Sequence, residues 1–319
     1  MRLMLILSCI LLYLGTEKAL ACDFCNCYLG LNPHYKKNSI GLRYHSMSYT
    51  GSHMEEWQLQ KLNYSKNDFW ELRTVAELHA QYYPLQKLQL LLSFPYIYNS
   101  EGNTVGYIHH HGNDNNTSTT NTYQGIGDPM LIAHYQVFNS VSMDTAGNNY
   151  SHRLMAGGGI KFPVGNWKIA EGVADDERVH LPGSGSWDII GSIVYLSKLG
   201  KIGMNTNLTY LLTTANSQSF SYGNRFNGNL VVYYQSTLKS VTVFPSAGAY
   251  YEQATPDLAN GYELLNSGGS ILFAHAGLDL YFRKFAINCA LQIPVGQELN
   301  QPQPEMRYRI ISGINYAFN

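Results

Sequence analysis

Residues 187–213, WDIIGSIVYLSKLGKIGMNTNLTYLLT, decide how the rest of the chain is read. The second arm puts Ile202, Met204, Thr206, Leu208, Tyr210 and Leu212 on one side. Gly203, Asn205, Asn207, Thr209, Leu211 and Thr213 fall on the other. This period-2 alternation lasts longer than an ordinary globular strand. The first arm, Trp187 to Ser197, is equally long and β-rich, and only Lys198-Leu199-Gly200-Lys201 separates the two. A strand of about 9–11 residues with one apolar face and a tight connection is the unit of a transmembrane β-barrel.

The pattern repeats on both sides of this hairpin. Upstream strands are expected at Ile40–Tyr49, Phe69–Tyr83, Leu88–Tyr98, Gly127–Phe138 and His152–Phe162. Downstream they are expected at Arg225–Ser236, Val241–Tyr251, Gly269–Phe282, Phe285–Pro294 and Met306–Phe318. With the two arms this makes about 12 strands. Long polar loops alternate with short turns, and only the connection 139–150 is longer than its parity predicts. A soluble sandwich has no reason to sort loops by parity, whereas outer-membrane barrels have short periplasmic turns and long outer loops. The expected fold is therefore an all-β, antiparallel, up-and-down transmembrane β-barrel of residues 39–319, with both termini periplasmic. Lipid offers no partner to an open sheet edge, so the sheet must close. Aromatic residues near strand ends fit interfacial girdles: Trp70, Tyr82, Tyr83, Tyr96, Tyr98, Trp187, Tyr250, Tyr251, Tyr281, Tyr316 and Phe318.

Composition agrees. Charged residues are only 13% of the 319, while tyrosine reaches 25 and glycine 29. The net charge of −1 gives no reason to expect nucleic-acid binding. Arg2, the apolar run Leu3–Leu14 and Ala19-Leu20-Ala21 read as a signal peptide over residues 1–21. The mature chain would then open on a Cys-rich periplasmic segment, residues 22–38. Lipidation of Cys22 is an open alternative, although Ala19 stands where a lipobox prefers Leu.

Three stretches carry a resemblance. Gly125-Ile126-Gly127-Asp128-Pro129 resembles a G-x-G-D motif leading into a strand. Gly159-Ile160-Lys161-Phe162-Pro163-Val164-Gly165 resembles a G-x-K-x-P-T-G strand end, with Val164 in place of Thr. Gly183-Ser184-Gly185-Ser186-Trp187-Asp188 resembles a G-x-G-S-x-D strand start. Their order and spacing are similar to those of outer-membrane barrels in the phenol-degradation meta-pathway transporter-like family. The Cys-rich start followed by Gly41-Leu42-Arg43-Tyr44 is similar to barrels of the Bacteroidetes type. The resemblance implies an outer-membrane, porin-like channel or transporter and names no substrate.

The candidate lumen lining is Arg43, His45, Glu71, Arg73, Glu77, His79, Asn205, Asn207, Asp279, Asn288, Gln292, Arg307 and Arg309. This set fits a polar pore for a small solute. It equally fits ion pairs that fill the barrel as a closed structural or binding protein, since twelve strands lie between filled barrels and open porins. Cys22, Cys25 and Cys27 could ligate a soft metal ion through thiolates, or form a disulfide. His109-His110-His111 could form an outer site or a solvated loop. Asp175, Asp176 and Glu177, near His180, could hold a cation or form a solvated charge run. There is no G-x-S-x-G, so a non-enzymatic role is expected, with an outer-membrane hydrolase as the remote alternative. The partners expected are outer-membrane lipid and an unnamed solute.

Overall fold

The strands pair without a break around a closed ring. In the computed structural model, residues 37–51, 69–103, 119–143, 149–168, 178, 180–301 and 303–318 are described. The ring is built from β1 (Asn38–Gly51), β2 (Phe69–Leu85), β3 (Leu88–Asn103), β4 (Thr119–Ile126 continued by Met130–Met143), β5 (Asn149–Lys161), β6 (Asp188–Leu199), β7 (Ile202–Leu212), β8 (Arg225–Tyr234 continued by Ser236–Leu238), β9 (Val241–Ala254), β10 (Gly269–Phe282), β11 (Phe285–Leu299) and β12 (Glu305–Phe318). Fourteen paired segments reduce to twelve strands, because β4 and β8 are each interrupted once. Each strand is antiparallel to its chain neighbours, and β12 pairs with β1 to close the barrel.

The ends of the strands sort the connections as expected. Between β8 and β9, and between β10 and β11, the chain turns in two residues, with Lys239 and Arg283 at left-handed φ of 55° and 53°. Such two-residue turns match the twist of a hairpin. The connection expected at 139–150 shrinks, because β4 runs on to Met143 and β5 begins at Asn149. It then equals in length the connection between β11 and β12, 300–304, which is the shortest on the long-loop side. The fourth strand also begins earlier than expected. Thr119–Ile126 pairs with the upper part of β3, and Gly127-Asp128-Pro129 interrupts β4 where the sequence suggested its start.

Facing follows the alternation. On β7, Asn205, Asn207 and Thr209 are buried, while Ile202, Leu208, Tyr210 and Leu212 are exposed. Large apolar side chains are exposed on the outer face of every strand except β9, which presents Pro245, Ala247 and Ala249 instead. An apolar surface encircling a molecule is unstable against water and suited to lipid. Two of the expected girdle residues point inward instead: Tyr250 and Tyr281 are buried, and their outward neighbours are Tyr251 and Phe282. Tyr250 belongs to an interior apolar cluster with Met47, Tyr49, Val75, Ile97, Ile271, Phe273 and Met306. A polar lining alone does not describe this lumen. Inward positions of a narrow barrel must be filled, and apolar groups fill them without needing partners.

Candidate functional site: the lumen and its loop-end closures

Several buried polar assemblies lie inside the barrel among the described residues, three of them prominent. The first joins the motif stretches at the loop end, where β4 is interrupted, β5 ends and β6 begins. Lys161 at the end of β5 reaches Asp128 at 3.2 Å and also contacts Asp188 and Ser184. Asp128 accepts from the Gly165 N–H at 2.9 Å and from the Ser184 N–H and hydroxyl at 2.8 and 2.7 Å. Ser186 donates to Asp188 at 2.9 Å. Here two backbone segments cross in contact: a Cβ on Gly183 would sit 2.6 Å from the Gly165 carbonyl carbon. Gly185 lies at φ 72° against the Trp167 ring. The glycines of the motifs thus permit the crossing, and the motif Lys, Asp and Ser side chains hold it.

The second assembly pins a loop to the opposite wall. Glu71 on β2 and Glu101 on β3 are directly opposed in register. His180, from the connection between β5 and β6, places Nε2 at 3.1 Å from Glu101 and Nδ1 at 3.5 Å from Glu71. Tyr123 stacks on its ring at 5.6 Å, and the Asn99 amide lies 3.3 Å from Nδ1. Burial disfavours the imidazolium, yet the hydrogen bond and charge of Glu71 and the charge of Glu101 outweigh it. They hold the His180 pKa above its ordinary 6.5, against an opposing push from Arg73.

The third assembly crosses the lumen. Arg309 on β12 makes a bidentate pair with Glu252 on β9, at 2.8 and 2.9 Å. It also donates to Gln292 at 3.1 Å, and its guanidinium lies over the Phe273 ring at 4.8 Å. Because β10 and β11 separate β9 from β12, this pair spans a chord of the ring. A smaller cluster places Arg43 at 3.5 Å and His45 at 3.6 Å from Glu77.

Further loops fold over the same end. Arg178 donates to Gln218 at 2.7 Å, and Tyr222 donates to the Arg178 carbonyl at 2.6 Å. Asn216 donates to the Ser184 carbonyl at 2.9 Å, tying this layer to the Lys161 assembly. Phe220–Ser221, Leu258–Ala259 and Tyr262–Glu263 form a small separate sheet there. Beneath it, Asp257 is fully buried and accepts from the Gly223 N–H at 2.7 Å. Burial pushes its carboxyl up to about 6, against that hydrogen bond and the charge of Arg225.

Of the expected lumen residues, Arg43, His45, Glu71, Arg73, Glu77, Asn205, Asn207, Asp279, Gln292 and Arg309 are buried on inward faces. His79 and Asn288 are half-buried; His79 hydrogen-bonds Asn315 at 2.6 Å. Arg307 departs from the set and is exposed beside Glu305 at 3.5 Å. A bulge between Ser48 and Tyr49 pairs them with Tyr308 and Met306, so Arg307 leaves the alternation and Met306 takes the inner face. Cys289 is exposed on the outer face. Cys22, Cys25 and Cys27, the histidines 109–111, the carboxylates 175–177, and the signal peptide lie outside the described residues. The alternation did not single out Glu101, Asn99, Glu252, Asp128, Lys161 or Asp188, although the last three stand inside the motif stretches.

No family model matches the chain, and no curated protein matches it. Among solved structures, an outer membrane channel from Pseudomonas putida F1 superposes with a TM-score of 0.56 at 14% identity, over 93% of this chain and 100% of that one. The fold is that of an outer-membrane β-barrel. This barrel has weaker likenesses in the β-domain of the Bordetella autotransporter BrkA, with a TM-score of 0.45, 10% identity and coverage of 88% and 100%. A Pseudomonas aeruginosa FadL homologue gives 0.37, 11%, and coverage of 89% and 91%.

Proposed function

We propose that this barrel is an outer-membrane passage protein for a small hydrophilic or amphipathic solute, closed in this conformation by its own side chains. One observation carries the closed state. Inward groups such as Asn99, His134 and Gln292 are 0% exposed, whereas a water-filled lumen would wet them. Two features support passage over a permanent core. The chord across the lumen is a charged pair, Arg309–Glu252, and the loop end is held by polar contacts; both can exchange for water. The apolar outer face supports residence in the outer membrane, and the short turns support periplasmic termini. The meeting of the three motif stretches around Lys161 supports the resemblance to the phenol-degradation meta-pathway transporter-like barrels.

A permanently closed structural or binding barrel is the second reading, favoured by the interior apolar cluster around Phe273. Planar-bilayer recording separates the two. The Arg309→Ala/Glu252→Ala variant is expected to show conductance steps that are rare in the parent. A sealed bilayer for both proteins overturns the passage reading and leaves the second. A hydrolase finds little support. His134 Nε2 lies 3.0 Å from the Ser192 hydroxyl, but His134 Nδ1 has no hydrogen-bond partner among the described residues to orient it.

A further inference from the structure

We propose that Glu71, Glu101 and His180 form a binding site for a divalent transition metal ion of the zinc class, which fastens the β5–β6 loop to the β2–β3 wall. The inference goes beyond the passage reading and stands or falls separately from it. Two carboxylates placed directly opposite each other in a sheet repel, and here both are buried, each 7% exposed. Such a pair calls for a cation between them, a place for which the His180 imidazolium and a metal ion held by the neutral ring are alternatives. One ligand atom from each of Glu71, Glu101 and His180 lies within 4.8 Å of the others. Bonds of about 2.0–2.2 Å to nitrogen and oxygen place tetrahedral ligands about 3.4 Å apart. Glu101 stands near that distance from Nε2, at 3.1 Å, whereas Glu71 stands at 3.5 Å from the other ring nitrogen, Nδ1. An ion on Nε2 therefore takes Glu101 close to where it stands and requires the Glu71 carboxylate to swing from the Nδ1 side of the ring, within a cluster already no wider than 4.8 Å.

Asn99 is placed to orient the imidazole for that role. It is fully buried, its Oδ1 has no hydrogen-bond partner among the described residues, and its amide nitrogen faces His180 Nδ1 at 3.3 Å. Amide oxygen and nitrogen are interchangeable by a half-turn of the group. Turned over, Asn99 Oδ1 accepts from an Nδ1–H, which leaves Nε2 as the metal ligand beside Glu101. A metal-bound histidine commonly donates its other ring N–H to such an acceptor. One imidazole and two carboxylates suit zinc and its first-row neighbours better than calcium, which takes six to eight oxygens.

The test uses the full chain with Cys22→Ser, Cys25→Ser and Cys27→Ser, which removes every thiolate of the N-terminal segment. Stripped of metal and refolded with Zn2+, this protein is expected to retain one equivalent after desalting. Co2+ in place of Zn2+ is expected to give visible d–d bands without a thiolate charge-transfer band. Adding Glu71→Gln/Glu101→Gln should weaken Zn2+ binding at least tenfold. If that double variant does not fold, His180→Gln, on the loop, is read in its place. Retention of less than 0.1 equivalent by the triple-serine parent overturns the proposal, as does unchanged binding in the readable variant. Conductance plays no part in this readout, so failure here leaves the passage reading intact, and failure there leaves this one.

Discussion

Two buried charge clusters hold the loop end, and they differ in kind. Around Lys161, one permanent cation meets Asp128 and Asp188, and backbone N–H groups and serine hydroxyls supply the remaining hydrogen bonds. Around His180, two opposed glutamates meet a group whose charge is conditional. The first cluster joins neighbouring strand ends through short, glycine-bearing motifs. The second joins a loop to strands distant in the chain. The comparison teaches that a fixed charge builds the frame, while a variable one suits a fastening that can be released.

The most direct way to break the comparison is to remove the fixed cation. Lys161→Met leaves two buried carboxylates uncompensated and should destabilise the barrel by about 3–5 kcal/mol in urea unfolding. A much smaller loss would reduce the Lys161 cluster to a surface-like pair. Leu208→Arg, on the outer face, should cost about 2–4 kcal/mol in lipid vesicles. Costs near zero would place that face away from lipid. His180→Gln keeps a polar side chain and loses the charge, so a cost of about 1–3 kcal/mol is expected. Faster proteolysis at the loop end should accompany it, and a cost matching that of Lys161→Met would erase the distinction between frame and fastening.

Asp257 gives a pH signature. Its folded pKa of about 6 lies above the ordinary 3.8, so the folded state binds more protons between those values. Stability from this group is full below about pH 4 and is lost as pH rises through about 6. Asp257→Asn should therefore raise the unfolding midpoint at pH 8 and converge with the parent near pH 4. A constant difference across that range would remove Asp257 from the cause.

The strand plan was legible because lipid outside and a filled lumen inside impose a strict two-residue period. Gly269–Phe282 shows it cleanly, with the expected and observed limits coinciding. Misreadings occurred where another rule intervened. Thr119–Ile126 is polar and reads as loop, yet it pairs with the extension of β3 beyond the apolar zone. Arg307 follows the period in sequence, but a bulge turns it outward. Tyr250 and Tyr281 fit a girdle by position along the strand and miss it by parity.

By itself, then, the sequence determined an all-β barrel, the inner and outer faces of strands with clear alternation such as Ile202–Leu212, and the end at which the long loops gather. Those follow from local alternation and from turn length, which neighbouring residues settle among themselves. Only the tertiary structure decided that Glu71 and Glu101 share His180, that Arg309 reaches Glu252 across the lumen, and that Asp128, Lys161 and Asp188 meet. Such partners lie tens to hundreds of residues apart, and the closure and stagger of the ring choose them.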